Sequence, residues 1–299
     1  MSGAPSNGRL MIGAAIAAVA VASLLVVMKL VAYIVTDSIA MMASLADSAL
    51  DVFASSVNLL AIRHALQPAD REHRFGHNKA EPLAGLAQSA LIAGSTGFLL
   101  VESLSRLITP HSIEDPNLGL IVMGVSIVTT IALVIGQRIV VQRTGSVAVG
   151  ADRMHYLGDI LTNGGVIVGI VLAGRLGIPI ADPVIGIGVS AVLAWSAWHV
   201  FVQSYDQLMD RELPDTDRDK IKAIVRGHTE VRALHDLRTR AAGTRQFIQL
   251  HLELDPAMSL LKAHAVSDEV ERELCAQFPN AEVIIHEDPA GLEQVTPAR

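Results

Sequence analysis

Between residues 10 and 206 the chain runs through six long apolar stretches separated by short polar connections. They cover roughly 10–33, 39–65, 82–108, 117–141, 148–174 and 181–206. A bilayer-spanning helix needs about 20 mostly apolar residues. In lipid every backbone polar group must be satisfied within the segment, which restricts such runs to helices. The expectation is an all-α, six-helix transmembrane bundle over residues 10–209, preceded by a short tail at 1–9. The first stretch, Leu10 to Met28, is too long for the apolar core of a signal peptide, about 7–15 residues, and reads as a membrane helix.

Beyond the sixth stretch the composition becomes that of a soluble domain. Over the whole chain 51% of residues are hydrophobic and only 18% charged, against about 25% charged in soluble domains. The last ninety or so residues carry much of that charge. A helix over Thr216–Gly227, strands over Val231–Arg240 and Gln246–Leu254, a helix over Leu261–Phe278 and a strand over Glu282–His286 give the order α-β-β-α-β. That order suggests a small α+β layer fold, placed at 210–290 with a loose end at 291–299. In the second strand Ile248, Leu250, Leu252 and Leu254 share one face, and Gln249, His251 and Glu253 the other. The net charge of -7 offers no basic patch for nucleic acid. A single cysteine, Cys275, excludes an internal disulfide and reads as a buried small hydrophobe.

Basic residues set the orientation. Arg63, Arg71, Arg74 and Lys79 flank the 2–3 loop, and Arg138, Arg143 and Arg153 the 4–5 connection. The opposite connections carry almost none. Excess Lys and Arg marks the cytoplasmic side, so both termini and the tail domain are expected in the cytoplasm.

Four residues inside the apolar stretches stand out. Asp47 and Asp51 are four apart on the second helix, and His155 and Asp159 four apart on the fifth, so each pair shares a helix face. A charge at mid-bilayer costs ~2.5–3.5 kcal/mol or more. Lys29, the only cation well inside a span, cannot balance three acids. Three carboxylates and one imidazole instead make a four-ligand N/O site suited to Zn²⁺, with Cd²⁺, Fe²⁺ and Mn²⁺ open because geometry decides among them. Ligands must be deprotonated to bind metal, while like charges crowded together retain protons when no metal is there. Proton-for-metal exchange follows, with His155, Asp51 and Asp159 as carriers.

With these pairs in view, the chain resembles the cation diffusion facilitator family, in particular its bacterial zinc/ferrous-iron efflux branch. The likeness extends over Asp47/Asp51, His155/Asp159, Gln67-Pro68-Ala69-Asp70 and Phe75-Gly76-His77-Asn78-Lys79-Ala80-Glu81. In the tail it covers His235-Asp236-Leu237-Arg238-Thr239-Arg240, Phe247-Ile248-Gln249-Leu250-His251 and Val283-Ile284-Ile285-His286. The resemblance implies a homodimeric transporter with a ferredoxin-like, metallochaperone-like cytoplasmic domain, exporting Zn²⁺ or Cd²⁺ in exchange for protons. It departs from the family at Asp37, where a glycine is expected.

The remaining histidines fall in two sets. Asp70, His73 and His77 have a spacing that could wrap one metal ion or be a solvated polar loop, and the resemblance favours a second metal site. In the tail, His286 and Asp288 share a strand face, and His251 lies on the polar face of its strand. The resemblance implies a site from His235, His251, His264, His286 and Asp288, and a charge pair between Lys79 and Asp210. His64, His111, His199 and His228 have no comparable partner set and read as structural. Met154 is either core packing or an apolar plug beside the site.

No nucleotide-binding or nucleophilic motif is present, so the chain reads as a secondary transporter with no organic cofactor. The alternative is a membrane-anchored metal sensor, which has no use for costly ligands in two spans. A passive channel requires weaker, faster-releasing sites.

Overall fold

The computed structural model describes residues 4–36, 39–108, 116–176 and 180–291. Asp37 and His111 lie outside them, as do residues 292–299 of the expected loose end. The chain divides into two compact units, 1–205 and 206–299, so the membrane unit ends a few residues before the expected boundary at 209.

The first unit holds six helices: α1 (Ala4–Thr36), α2 (Ile39–Ala65), α3 (Ala80–Ile108), α4 (Pro116–Thr144), α5 (Val147–Leu176) and α6 (Ala181–Leu208). Each has 27 to 33 residues. At about 1.5 Å per residue each exceeds a hydrocarbon core of about 30 Å. Among the described residues, α1, α3, α4 and α6 are long and apolar enough to cross a membrane on composition alone. Helices α2 and α5, expected as the other two spans, carry the buried carboxylates Asp51 and Asp152.

Small residues let the helices approach closely. Ala15, Ala84 and Ala148 pack with Met11, Ile62 and Val149 in one cluster, and Ala18 with Leu133 and Tyr156 in another. Large apolar side chains such as Phe98, Val101, Val128, Trp195 and Trp198 face outward, the arrangement a lipid solvent requires. Helices α4 and α5 are joined by only Gly145 and Ser146. Gly145 has φ +69°, the left-handed conformation that ends a helix and that glycine adopts without strain. Ser146 then donates to the buried Glu81 at the start of α3, tying the first turns of α3 and α5 together.

The second unit follows the expected order: α7 (Asp215–Arg226), β1 (Ala233–Ala242), β2 (Arg245–Leu254), α8 (Leu260–Gln277) and β3 (Ala281–Pro289). The sheet order is β1-β2-β3, with β1 and β2 antiparallel and β2 and β3 parallel. The parallel pair needs a crossover, which α8 provides. Ser259 caps α8, its hydroxyl accepting from the Lys262 N–H. Ile248, Leu250, Leu252 and Leu254 meet Ile221 and Val225 of α7 and Val266, Val270 and Leu274 of α8. Both helices therefore cover one face of the sheet, and the polar face of β2 lies opposite.

Strand β3 is longer than expected. Parallel pairing continues from His286 opposite His251 to Pro289 opposite Leu254, and the Ala290 N–H donates to the Leu254 carbonyl. Glu287 and Asp288 read as a polar strand end, but backbone pairing does not depend on side-chain polarity. Cys275 is half-buried rather than fully buried. Burial and nearby Glu271 push its thiol up from its ordinary value.

Candidate metal centres

In the membrane unit, one ligand atom each from Asp51, His155 and Asp159 lie within 4.8 Å of one another. His155 Nε2 is 3.0 Å from Asp51 Oδ1. Asp51 is only 6% exposed. Helical spacing of four puts Asp47 one turn from Asp51, but its side chain is exposed and it does not join this trio. Three of the four expected ligands converge, and Asp47 stands apart. The trio offers two carboxylates and an imidazole, the donor set of an open zinc-type site with a position to spare.

Two polar residues beside the trio were not assigned from sequence. Lys29 of α1 is 6% exposed, and its ammonium donates to Ser48 Oγ at 2.6 Å and to the Ser44 carbonyl at 3.2 Å. These partners bracket Asp47 on α2, so the Lys29 ammonium is anchored to the helix that bears two of the acids. Asp152, one turn before His155, is 1% exposed. It accepts from Gln137 at 2.7 Å, Ser55 at 3.2 Å and Gln88 at 3.4 Å. Ser55 also pairs with the Tyr156 hydroxyl at 2.7 Å. Helices α2, α3, α4 and α5 thus meet at one buried carboxylate, one turn from the ligands. The signal for it was an acid within the fifth apolar stretch that no expected site used.

The 2–3 loop brings together Asp70, His73 and His77, again with ligand atoms within 4.8 Å. Asp70 Oδ1 accepts the backbone N–H groups of Glu72 at 2.9 Å and His73 at 2.6 Å. Asp70 Oδ2 lies 3.3 Å from His77 Nε2. The His73 N–H foremost, with the Glu72 N–H and the two imidazoles, holds the Asp70 carboxyl below the usual carboxylate range against the opposing effect of desolvation. Gly76 has φ +81°, the turn that brings His77 back toward Asp70 and that a side chain would strain. The His77 side chain is 5% exposed and its Nδ1 is a buried polar atom with no hydrogen bond.

In the tail a histidine row crosses the sheet. His235 of β1 is opposite His251 of β2, which is opposite His286 of β3. The ring centroids are 5.0 Å and 4.6 Å apart in turn. Asp288, two residues beyond His286, accepts from His251 Nδ1 at 2.8 Å. It lies 3.3 Å from both His235 Nε2 and His286 Nε2. His235 Nε2 is buried without a hydrogen bond, the approach of a ligand set rather than of an ordinary pair. Burial raises the Asp288 carboxyl, but the His251 hydrogen bond and the three imidazoles together hold it below its usual range.

The first strand is bent to make this row. Its register shifts between His235 and Arg238, and Asp236 sits at φ +46°, a bulge that re-aims side chains. Asp236 Oδ2 comes within 3.8 Å of His251 Nε2, a neighbour not expected from sequence. His264, by contrast, lies on α8, the helix covering the opposite face. Its Nε2 is 3.7 Å from Asp268 on the same helix, and it is not in the cluster. Asp210 pairs with Arg240 at 3.0 Å within the tail unit, while Lys79 belongs to the other unit. His228 lies 3.3 Å from Glu273, and His199 stacks on Trp195.

Comparison with known proteins identifies the family of the chain. Residues 15–209 match the family described as "Cation efflux transmembrane domain". Residues 213–290 match "Cation efflux protein, cytoplasmic domain". The chain is 45% identical over 287 residues to the cation-efflux pump FieF of Escherichia fergusonii, covering 96% of this chain and 95% of that one. It is 44% identical over 285 residues to FieF of Cronobacter sakazakii, covering 95% of each. The metal-bound C-terminal domain of the CzcD transporter from Thermotoga maritima is 30% identical, covering 26% of this chain and 93% of that one, with a TM-score of 0.26. A helical membrane domain followed by a cytoplasmic α+β domain, each matched over nearly its full extent, makes this chain a member of the cation diffusion facilitator family of cation efflux transporters.

Proposed function

We propose that this protein exports divalent transition-metal cations, Zn²⁺ first and Cd²⁺ and Fe²⁺ with it, from the cytoplasm by proton-coupled antiport. The observation that carries this reading is the convergence of Asp51, His155 and Asp159 from two helices inside the membrane unit. In alternating access, Asp47 swings in as the fourth ligand when metal loads. Metal entry displaces the protons that the crowded carboxylates and His155 otherwise retain. Release on the far side allows them to reload.

The proposal places the protein in the bacterial inner membrane as a homodimer with both termini in the cytoplasm, following the Lys and Arg of the 2–3 and 4–5 connections. The loop set Asp70, His73 and His77 and the tail set His235, His251, His286 and Asp288 then face cytoplasmic metal. Metal on the tail set tells the transporter that export is needed.

The test is uptake by the reconstituted full chain. Zn²⁺, Cd²⁺, Fe²⁺ and Mn²⁺ are offered to proteoliposomes with an imposed, collapsed or reversed pH gradient. Uptake driven by the imposed gradient and abolished in Asp51→Ala supports the proposal. Uptake indifferent to the gradient removes the antiport, and unchanged Zn²⁺ uptake in Asp51→Ala removes the site.

A further inference from the structure

The 2–3 loop has an imidazole neighbour that its own ligand spacing does not include. His64, in the last turn of α2, has its ring centroid 4.5 Å from that of His77, the planes tilted by 60°. The His73 ring is 4.7 Å from the same His77 ring. His77 is therefore flanked by two imidazoles and faces Asp70 through Nε2 at 3.3 Å. Four side chains gather at one spot, three from the loop and one from the end of a helix.

Coordination chemistry gives that fourth side chain a task. Asp70, His73 and His77 leave a tetrahedral ion one protein ligand short. Sites that hold zinc as a fixture are closed by four, whereas three-ligand sites keep an open position. The His64 nitrogens are outside the 4.8 Å group. The side chain is exposed and sits at a helix end, so a rotamer change meets little packing resistance. Two neutral imidazoles can lie side by side at this distance without repulsion, and an ion between them gives both a partner.

We infer that His64 is the fourth ligand of a closed site with three nitrogens and one oxygen, selective for a divalent transition metal. The inference rests on the reading of Asp70, His73 and His77 as a metal site. Its consequence is mechanical. A loop ion held by His64 is bound to α2 itself, thirteen residues beyond Asp51 on the same helix, and the loop is pinned to the end of that helix.

The test uses the full-length protein in detergent with the other centres disabled by Asp159→Ala and His251→Ala. Co²⁺ is titrated and its visible absorption followed, because four-coordinate Co²⁺ absorbs far more strongly than six-coordinate. The parent is expected to bind one four-coordinate Co²⁺ that His73→Ala removes. His64→Ala is expected to weaken binding about tenfold or more, since even outer partners of metal ligands are worth ~10–100-fold, and to dim the band as water replaces the imidazole. His64→Cys is expected to restore the band and add a thiolate-to-cobalt charge-transfer transition absent from the parent, whose one cysteine is Cys275. Unchanged affinity in His64→Ala with no charge-transfer band in His64→Cys overturns the inference while leaving the loop site standing. A parent with no His73-dependent Co²⁺ overturns the loop site and the inference together.

Discussion

His155 Nε2 stands 3.0 Å from Asp51 Oδ1 across 104 residues of sequence, joining α5 to α2 at the point where Asp159 also arrives. Residues that act as one unit are not additive. Asp51→Asn and His155→Gln are each expected to lower initial Zn²⁺ uptake into proteoliposomes by about a hundredfold or more, and the double variant by no more than the worse single one. A double variant whose loss equals the product of the two singles would show that the side chains work independently.

Asp152 yields a stability prediction. Removing its carboxylate in Asp152→Ala strands the Gln137 donor in a buried site and leaves Ser55 and Gln88 only their bonds to Tyr156 and the Ala54 carbonyl. An orphaned donor costs about 1–3 kcal/mol, so the thermal unfolding midpoint in detergent should fall sharply. Asp152→Asn keeps an acceptor, and its amide can donate to the Gln88 and Gln137 oxygens, both buried without hydrogen bonds. It should lose clearly less. Equal losses in the two variants would mean that the hydrogen bonds to Asp152 do not hold the four helices together.

The tail row predicts a contrast between two histidines. His251 sits at the centre of the row, bonded to Asp288, whereas His264 faces Asp268 on the far side of the sheet. Competition with a chromophoric chelator should show Zn²⁺ affinity of the tail falling about tenfold or more in His251→Ala and staying nearly unchanged in His264→Ala. Equal losses would require His264 to reach the row in a way the single chain does not display.

A pH prediction comes from Asp255, in the turn after β2. The Ala257 N–H first, and Arg232 at 2.6 Å, hold its carboxyl below the usual range against slight burial. A depressed folded value adds stability above the unfolded pKa of about 3.9, and that stability is lost as pH falls through the folded value. In denaturant unfolding of a fragment beginning at Asp206, the wild type should lose stability between about pH 5 and pH 2. Asp255→Asn should begin less stable at neutral pH and show a flatter acid limb. Parallel acid limbs would assign the dependence to other carboxylates.

That Asp47 and Asp51, and His155 and Asp159, each share a helix face was legible because helical spacing of four is a local property, but the separation of Asp47 from the trio was not. The loop trio was legible for the same reason. What could not be read was everything supplied from elsewhere. Asp152 depends on three side chains from three other helices, and Lys29 on two serine positions of α2. The sheet face of His251 was visible in its alternation, but the bulge that brings Asp236 close was not, because nothing local announces where a register will shift. His264 sits on the helix that covers the other face of the sheet, a placement set by which face α8 covers. His64 shows the same limit. It falls outside the loop's own spacing, and only the turn through Gly76 sets His77 beside it.

Asp70 closes its own turn with one oxygen and faces an imidazole with the other. The loop's shape and the ion affinity proposed for it therefore meet in one side chain. Asp70→Asn keeps an acceptor for the turn and gives up the charge, whereas Asp70→Ala gives up both.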